Sequence, residues 1–161
     1  MNKTSANALA LCAALLVTSA PLPAEPVAQG IAEVIASPDR SAQDRERDAR
    51  SHPEAILALL NIGPGDRVAD IFGGAGYYGE LLGRVVGPEG EVLLHNNQAY
   101  IEYVGKALDM RFEGRELPAV RRHDREVDDL DLGQGELDAV LLIMSAQNDI
   151  EPFVAGGIAL L

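Results

Sequence analysis

A short apolar segment followed by a glycine-rich turn constrains the fold of this 161-residue chain more than any other feature. Residues 67–72 (RVADIF) read as a buried strand, and residues 73–76 (GGAG) read as a tight turn. Residues 77–86 carry apolar side chains on one face of a predicted helix, and residues 91–95 (EVLLH) form a second predicted strand. This order of strand, helix and strand predicts parallel strands joined by a right-handed crossover.

The remaining predicted elements extend the same arrangement. A helix is predicted over residues 99–110, because Ile101, Val104 and Leu108 fall on one face. Three further strands are predicted, at residues 119–122, 137–144 and 158–161. Since 137–144 is the most apolar of these stretches, we expect a central buried strand there. The sequence predicts one α/β domain with three layers, a Rossmann-like fold and a mainly parallel sheet.

The N-terminal residues have the pattern of a secretory signal peptide. Lys3 provides a basic start, residues 8–17 form an apolar run, and small residues follow. The run is shorter than the roughly 20 residues that a membrane-spanning helix needs. We therefore predict a signal peptide over residues 1–24, a periplasmic or secreted protein, and no membrane contact after cleavage. The alternative is a short hydrophobic helix that stays attached.

Residues 25–52 are predicted to form a polar N-terminal arm, and residues 53–161 the domain proper. Residues 41–50 (SAQDRERDAR) alternate acidic and basic side chains at helical spacing. Two interpretations stay open: a solvated helix face, or a segment that packs over a ligand pocket and contributes Arg or Asp to it. The sequence SHPE at 51–54 predicts a helix start, with its Ser and Glu forming a capping box.

Charge and residue usage exclude several classes of function. The formal net charge is −12, so we expect no nucleic-acid binding, because phosphate contacts need clustered Lys and Arg. Cys12, the only cysteine, lies in the predicted signal peptide, which leaves no thiol for a nucleophile or a zinc site. The three histidines, His52, His95 and His123, lack metal-ligand spacing, and we predict no metal site.

The chemistry is expected where the first strand meets the glycine turn. Asp70 lies near the carboxyl end of that strand, where open α/β sheets bind ligands. Glycines let the backbone approach a ligand where a Cβ would collide. The helix that begins near Tyr77 directs its first N–H groups at the same space, which favours a carboxylate or phosphate. The Asp70 carboxylate can accept hydrogen bonds from an ammonium group.

The segment PGDRVADIFGGAG at residues 64–76 resembles motif I of class I S-adenosylmethionine-dependent methyltransferases. The GELL helix and the VGPEG turn that follow fit the same pattern. The arm DRSAQDRERDARSHPEAI followed by DIFGGAGYYGELL is similar to a family of exported, predicted methyltransferases, and the resemblance covers roughly residues 37–144. It implies S-adenosylmethionine as cofactor and methyl transfer to an unknown acceptor. The cofactor supplies the electrophilic methyl group, so no catalytic residue is assigned.

The resemblance also implies roles for individual residues. Eight positions are expected at the cofactor site: Asp70, Phe72, Gly73, Gly74, Gly76, Tyr77, Asn96 and Asp124. Asp70, Gly74 and Gly76 match motif I and line the methionine and ribose end of the cofactor. Asn96 falls where the family pattern has an acidic residue that binds the ribose hydroxyls. Asp124 matches the acidic position near the adenine amino group, and Phe72 replaces the first glycine of the commonest motif I.

Other interpretations of the same residues remain open. Asp70 can act as a cap for the helix that follows, Asn96 and Asn97 as turn residues, and Asp124 as a solvated side chain. The pattern G-x-G-x-x-G at residues 74–79 also matches a dinucleotide site, so an NAD-binding protein is an alternative. Residues 145–153 leave little room for the helix expected before a fifth strand. A truncated or degenerate, non-catalytic methyltransferase-like protein is therefore a further alternative.

Overall fold

The computed structural model of the protein describes residues 25–143, and it describes side chains from residue 30 onward. The described elements, in chain order, are α1 (Glu25–Ala36), α2 (Ala42–Ser51), α3 (Pro53–Leu60), β1 (Arg67–Ile71), α4 (Tyr77–Val86), β2 (Glu91–Asn96), α5 (Gln98–Phe112), β3 (Val120–Asp124) and β4 (Ala139–Leu142). None of these helices is long and apolar enough to cross a membrane.

The four described strands form one sheet in the order β3-β2-β1-β4, and every pair is parallel. Ile71 of β1 lies beside His95 of β2, and Asn96 of β2 lies beside Asp124 of β3. The carboxyl ends of β1, β2 and β3 therefore meet at one edge of the sheet. This arrangement confirms the α/β class and the parallel sheet.

The two faces of the sheet bury different side chains because successive strand residues point in opposite directions. Val68 and Val92 point to the face covered by α4, where Leu81 and Leu82 are also fully buried. The opposite face carries Ala69, Ile71, Phe72 and Leu93, and apolar residues of the long connection between β3 and β4 pack there. Burial of both faces explains why β1 and β2 read as continuous apolar runs.

Strand bounds differ from the predicted ones at several ends. Phe72 lies in the turn after β1, with a φ of 53° that no strand residue adopts. β3 extends to Asp124 because its ladder with β2 continues that far. β4 lies at the edge of the described sheet, and Val140 is 53% exposed among the described residues. A central, buried position for this strand stays a prediction. Met144 and the predicted strand at 158–161 lie outside the described residues.

The predicted capping box is also wrong. Ser51 is the last residue of α2 rather than the N-cap of α3, and its hydroxyl accepts a hydrogen bond from Arg47. His52 occupies the N-cap position of α3 in the left-handed conformation, with a φ of 44°, and its side chain makes no capping bond. Pro53 does open the helix, as predicted. Because α2 continues through Ser51, the Ser51 hydroxyl does not stand at the N-cap of α3.

Candidate ligand site at the carboxyl edge of the sheet

The glycine turn, residues 73–76, leads the chain from β1 into α4 through a sharp reversal. Phe72, Gly74 and Gly76 all have positive φ values, of 53°, 61° and 79°. The Gly73 N–H donates to the carbonyl oxygen of His95 at 3.0 Å, which ties the turn to β2. A Cβ on Gly73 would collide with the side chains of Asp70 and Leu94, so only glycine fits there.

Asp70 lies beneath this turn in a fully buried position, with 2% of its surface exposed. The Gly79 N–H, in the first turn of α4, donates a hydrogen bond to its carboxyl group. Its Oδ2 atom has no hydrogen-bond partner among the described residues. Burial raises the pKa of Asp70 to about 7, and the Gly79 hydrogen bond opposes the rise. The contact with Gly79 thus leaves Oδ2 without a donor among the described residues.

Asn96 holds the glycine turn through both ends of its side-chain amide. Its Oδ1 accepts from the Gly74 N–H at 2.9 Å, and its Nδ2 donates to the Gly74 carbonyl oxygen at 3.0 Å. The side chain is fully buried. The neighbouring Asn97 is the N-cap of α5 and accepts from the Tyr100 N–H at 2.9 Å. Both asparagines therefore form hydrogen bonds with backbone groups of the protein itself. The role of Asn96 towards a ribose stays a prediction.

An acidic residue at position 96 is expected to destabilise this protein. In Asn96→Asp, one carboxylate oxygen would face the Gly74 carbonyl oxygen where Nδ2 now donates, which leaves two buried acceptors in contact. We expect a loss of about 2 kcal/mol in the free energy of unfolding, measured by urea denaturation at neutral pH. The matched control is Asn97→Asp, because aspartate is an equally good N-cap and should change stability little. Equal effects of the two substitutions would contradict the paired-amide geometry.

His95 is not among the predicted site residues, yet it also holds the glycine turn in place, from β2. It is fully buried; its Nδ1 accepts from the Phe72 N–H at 3.4 Å and its Nε2 donates to the Arg125 carbonyl oxygen at 2.9 Å. Burial lowers the pKa of His95, which keeps the ring neutral, as this pair of bonds requires. The signal in the sequence was its place at the end of the second strand, beside the glycine turn.

The N-terminal arm packs over the glycine turn and the first turn of α4. The Tyr77 hydroxyl donates to Asp48 Oδ1 at 2.7 Å, and the Tyr78 hydroxyl donates to the Ser51 carbonyl oxygen at 3.1 Å. The Arg47 guanidinium lies 4.1 Å from the centre of the Tyr77 ring. Burial and the hydrogen bond to Asp48 raise the pKa of Tyr77.

Buried ion pairs fix the arm in this position. Asp44 binds Arg111 of α5 at 2.8 Å, and Arg111 also binds Glu80 of α4 at 2.6 Å. The Arg111 Nε donates to the carbonyl oxygen of Ala75 in the glycine turn. Burial alone would raise the pKa of Glu80, but the arginines around it hold that pKa below its usual value. Because Asp44 is buried, the solvated-face interpretation of residues 41–50 is wrong at this position.

Asp124 lies at the same edge of the sheet as Asn96, two strands from β1. Its carboxylate binds Arg122 at 2.9 Å and is partly exposed. An open cavity of about 510 Å³ lies beside it, lined by side chains that include Arg67, Arg121 and Asp131. The sheet therefore brings Asp124 to the predicted edge, with its charge already paired.

The described residues define an α/β protein with a parallel sheet and a glycine turn at its carboxyl edge. Within residues 25–143, no group of three or more His, Cys, Asp or Glu side chains is arranged to hold a metal ion. No protein-family model matches the chain, and no curated protein matches it.

Proposed function

We infer that this protein binds S-adenosylmethionine at the glycine turn and transfers its methyl group to an acceptor. One observation carries the proposal: Asp70 is a buried carboxyl group, beneath a glycine turn and beside a parallel strand, and one of its oxygens has no partner within residues 25–143. A buried carboxylate without a partner is unfavourable in a folded protein unless a ligand or a proton satisfies it. An ammonium group is the ligand chemistry that suits it best.

The N-terminal arm supplies a positive charge that can bind the carboxylate of the same ligand. Arg47 is half-buried over Tyr77, and in the described part of the chain no carboxylate lies within ion-pair distance of it. Its charge acts on the carboxyl group of Asp70. A ligand with both an ammonium and a carboxylate, such as the amino-acid end of S-adenosylmethionine, matches this pair of charges. Gly74 and Tyr77 would then border that end of the cofactor.

The bound cofactor would supply an electrophilic methyl group, and the chain would orient it. The roles of this chain's residues follow from their contacts. Asn96 and His95 hold the glycine turn in one conformation, and the arm shields the first turn of α4 from water. Rigid positioning of donor and acceptor is the main contribution a protein makes to such a transfer.

A thermal-shift comparison tests the proposal against its alternative. S-adenosylhomocysteine at about 100 times its Kd should stabilise the protein by about 2.7 kcal/mol, while NADH should not raise the Tm. A shift with NADH alone would favour the dinucleotide-binding alternative.

Since the polar atoms of Asn96 are already paired within the chain, a non-catalytic binding protein is a second candidate. Binding of S-adenosylhomocysteine without methyl transfer to any acceptor in a broad screen would support that candidate.

The raised pKa of Asp70 predicts a pH dependence of stability in the absence of ligand. Because the folded pKa, about 7, is above the unfolded value, the wild type should lose stability as pH rises from about 4 to 7. The side chain in Asp70→Asn has no proton to lose. Compared with this variant, the free energy of unfolding of the wild type should fall by up to about 4 kcal/mol above pH 7. Urea denaturation at a series of pH values measures it. Asp128→Asn, at an exposed position, keeps Asp70 and is the control, and its stability should vary with pH as that of the wild type does.

A further inference from the structure

A second cavity lies at the opposite edge of the sheet from the glycine turn. It has a volume of about 1150 Å³ and lies between α1, the C-terminal half of α4 and the residues that lead into β3. Ligand pockets in proteins commonly measure about 300–1,000 Å³, so this cavity, here called the α1 cleft, has room for a sizeable molecule. None of the residues assigned to the cofactor site lines it.

The walls of the α1 cleft are largely apolar. Its lining includes Ile31, Val34, Ile62, Val85 and Val120. Gly30 also lines the cleft, and a Cβ at that position would meet no atom of the described residues within 4 Å. The cleft therefore has open space beside apolar side chains, which suits the aliphatic or aromatic body of a ligand.

The charged side chains at the α1 cleft favour a ligand with a positively charged group. Its two cationic side chains in the described part of the chain, Arg84 and Arg115, both bind the buried Glu80, at 3.0 and 2.6 Å. Arg84 also approaches Asp39 at 4.0 Å. Three exposed carboxylates of the described residues border the cleft: Glu33, Asp39 and Glu116. The lining residues thus carry an excess of negative charge, which attracts a cation and repels an anion.

We propose that the α1 cleft binds an amphiphilic cation, meaning an apolar body that carries an amine or a quaternary ammonium group. The apolar body occupies the space beside Gly30 and Val34, and the cationic group faces the carboxylates of Glu33, Asp39 and Glu116. This site is separate from the glycine turn and does not depend on the function proposed for it.

Titration calorimetry with three probes of equal chain length tests the proposal on the full chain. The probes are decyltrimethylammonium, decanesulfonate and decanol, each kept below the concentration at which it aggregates. We expect decyltrimethylammonium to bind at least tenfold more tightly than decanesulfonate, with decanol between them. Absence of binding by decyltrimethylammonium, or tighter binding of the sulfonate, would overturn the proposal.

Two substitutions place the binding in the cleft. Gly30→Phe fills the open space without a clash at its Cβ, and it should weaken decyltrimethylammonium at least tenfold. Leu59→Phe, on an exposed face of α3, is the matched control and should leave the affinity unchanged. In Glu33→Gln/Glu116→Gln the preference for the cationic probe should shrink while decanol binding persists. Equal weakening by the two phenylalanine substitutions, or an undiminished preference for the cation in the glutamine variant, would contradict the assignment.

Discussion

Replacement of Asp70 by alanine is expected to abolish binding of S-adenosylhomocysteine while the far-UV circular dichroism spectrum stays near that of the wild type. The carboxyl group is the buried acceptor that we pair with the ligand's ammonium, and its Oδ2 atom has no partner among the described residues. Loss of a charge-assisted hydrogen bond in a buried site costs about 3 kcal/mol, so affinity should fall at least ~100-fold. Calorimetric titration measures the change in Kd.

Two further variants separate charge from shape. Asp70→Asn keeps the size of the side chain but removes its charge, and it should weaken binding nearly as much as alanine. Asp128→Ala, at an exposed position of the connection between β3 and β4, is the matched control and should bind as the wild type does. Unchanged affinity in Asp70→Ala, with the fold intact, would refute the role given to this carboxyl group.

Neutralising Glu80 is expected to destabilise the protein more than any surface substitution. Its carboxylate is 1% exposed and binds Arg84, Arg111 and Arg115. In Glu80→Gln three arginines would lose their shared counter-ion, and removal of one partner from a buried ion pair costs about 3–5 kcal/mol. The free energy of unfolding, from urea denaturation at pH 7, should fall by that amount.

The control for this prediction is Glu89→Gln, which removes the same charge in the exposed turn after α4. It should change stability by less than about 0.5 kcal/mol. A Glu80→Gln variant as stable as this control would show that the arginines do not depend on Glu80. Because Arg111 also contacts the glycine turn, Glu80→Gln should in addition weaken S-adenosylhomocysteine binding.

Local pattern was sufficient to predict the part of the fold that positions the site. The apolar strand, the glycine turn and the amphipathic helix are set by near neighbours in the chain, and β1, α4 and β2 formed where they were expected. The parallel pairing followed because a helix between two strands leaves few other connections. The position of Asp70 at the carboxyl end of β1 followed from the same reasoning.

Contacts between distant parts of the chain could not be predicted in the same way. The bond between Asp44 and Arg111 joins residues 67 positions apart, and no periodicity in residues 41–50 reveals its partner. The capping box failed because α2 continues through Ser51 and His52 takes the N-cap position of α3, and a four-residue pattern does not include where the preceding helix ends. The amide of Asn96 paired with Gly74 for a similar reason, since the register of β1 and β2 brings them together.

Calorimetric titration of the wild-type chain with S-adenosylhomocysteine at pH 8 tests the central claim most directly, because Asp70 should then be ionised. We expect one binding site per chain, with an affinity that falls when the titration is repeated at pH 6. A folded protein that gives no binding heat at any temperature tested, and no rise in Tm with the ligand, would contradict the proposed cofactor site.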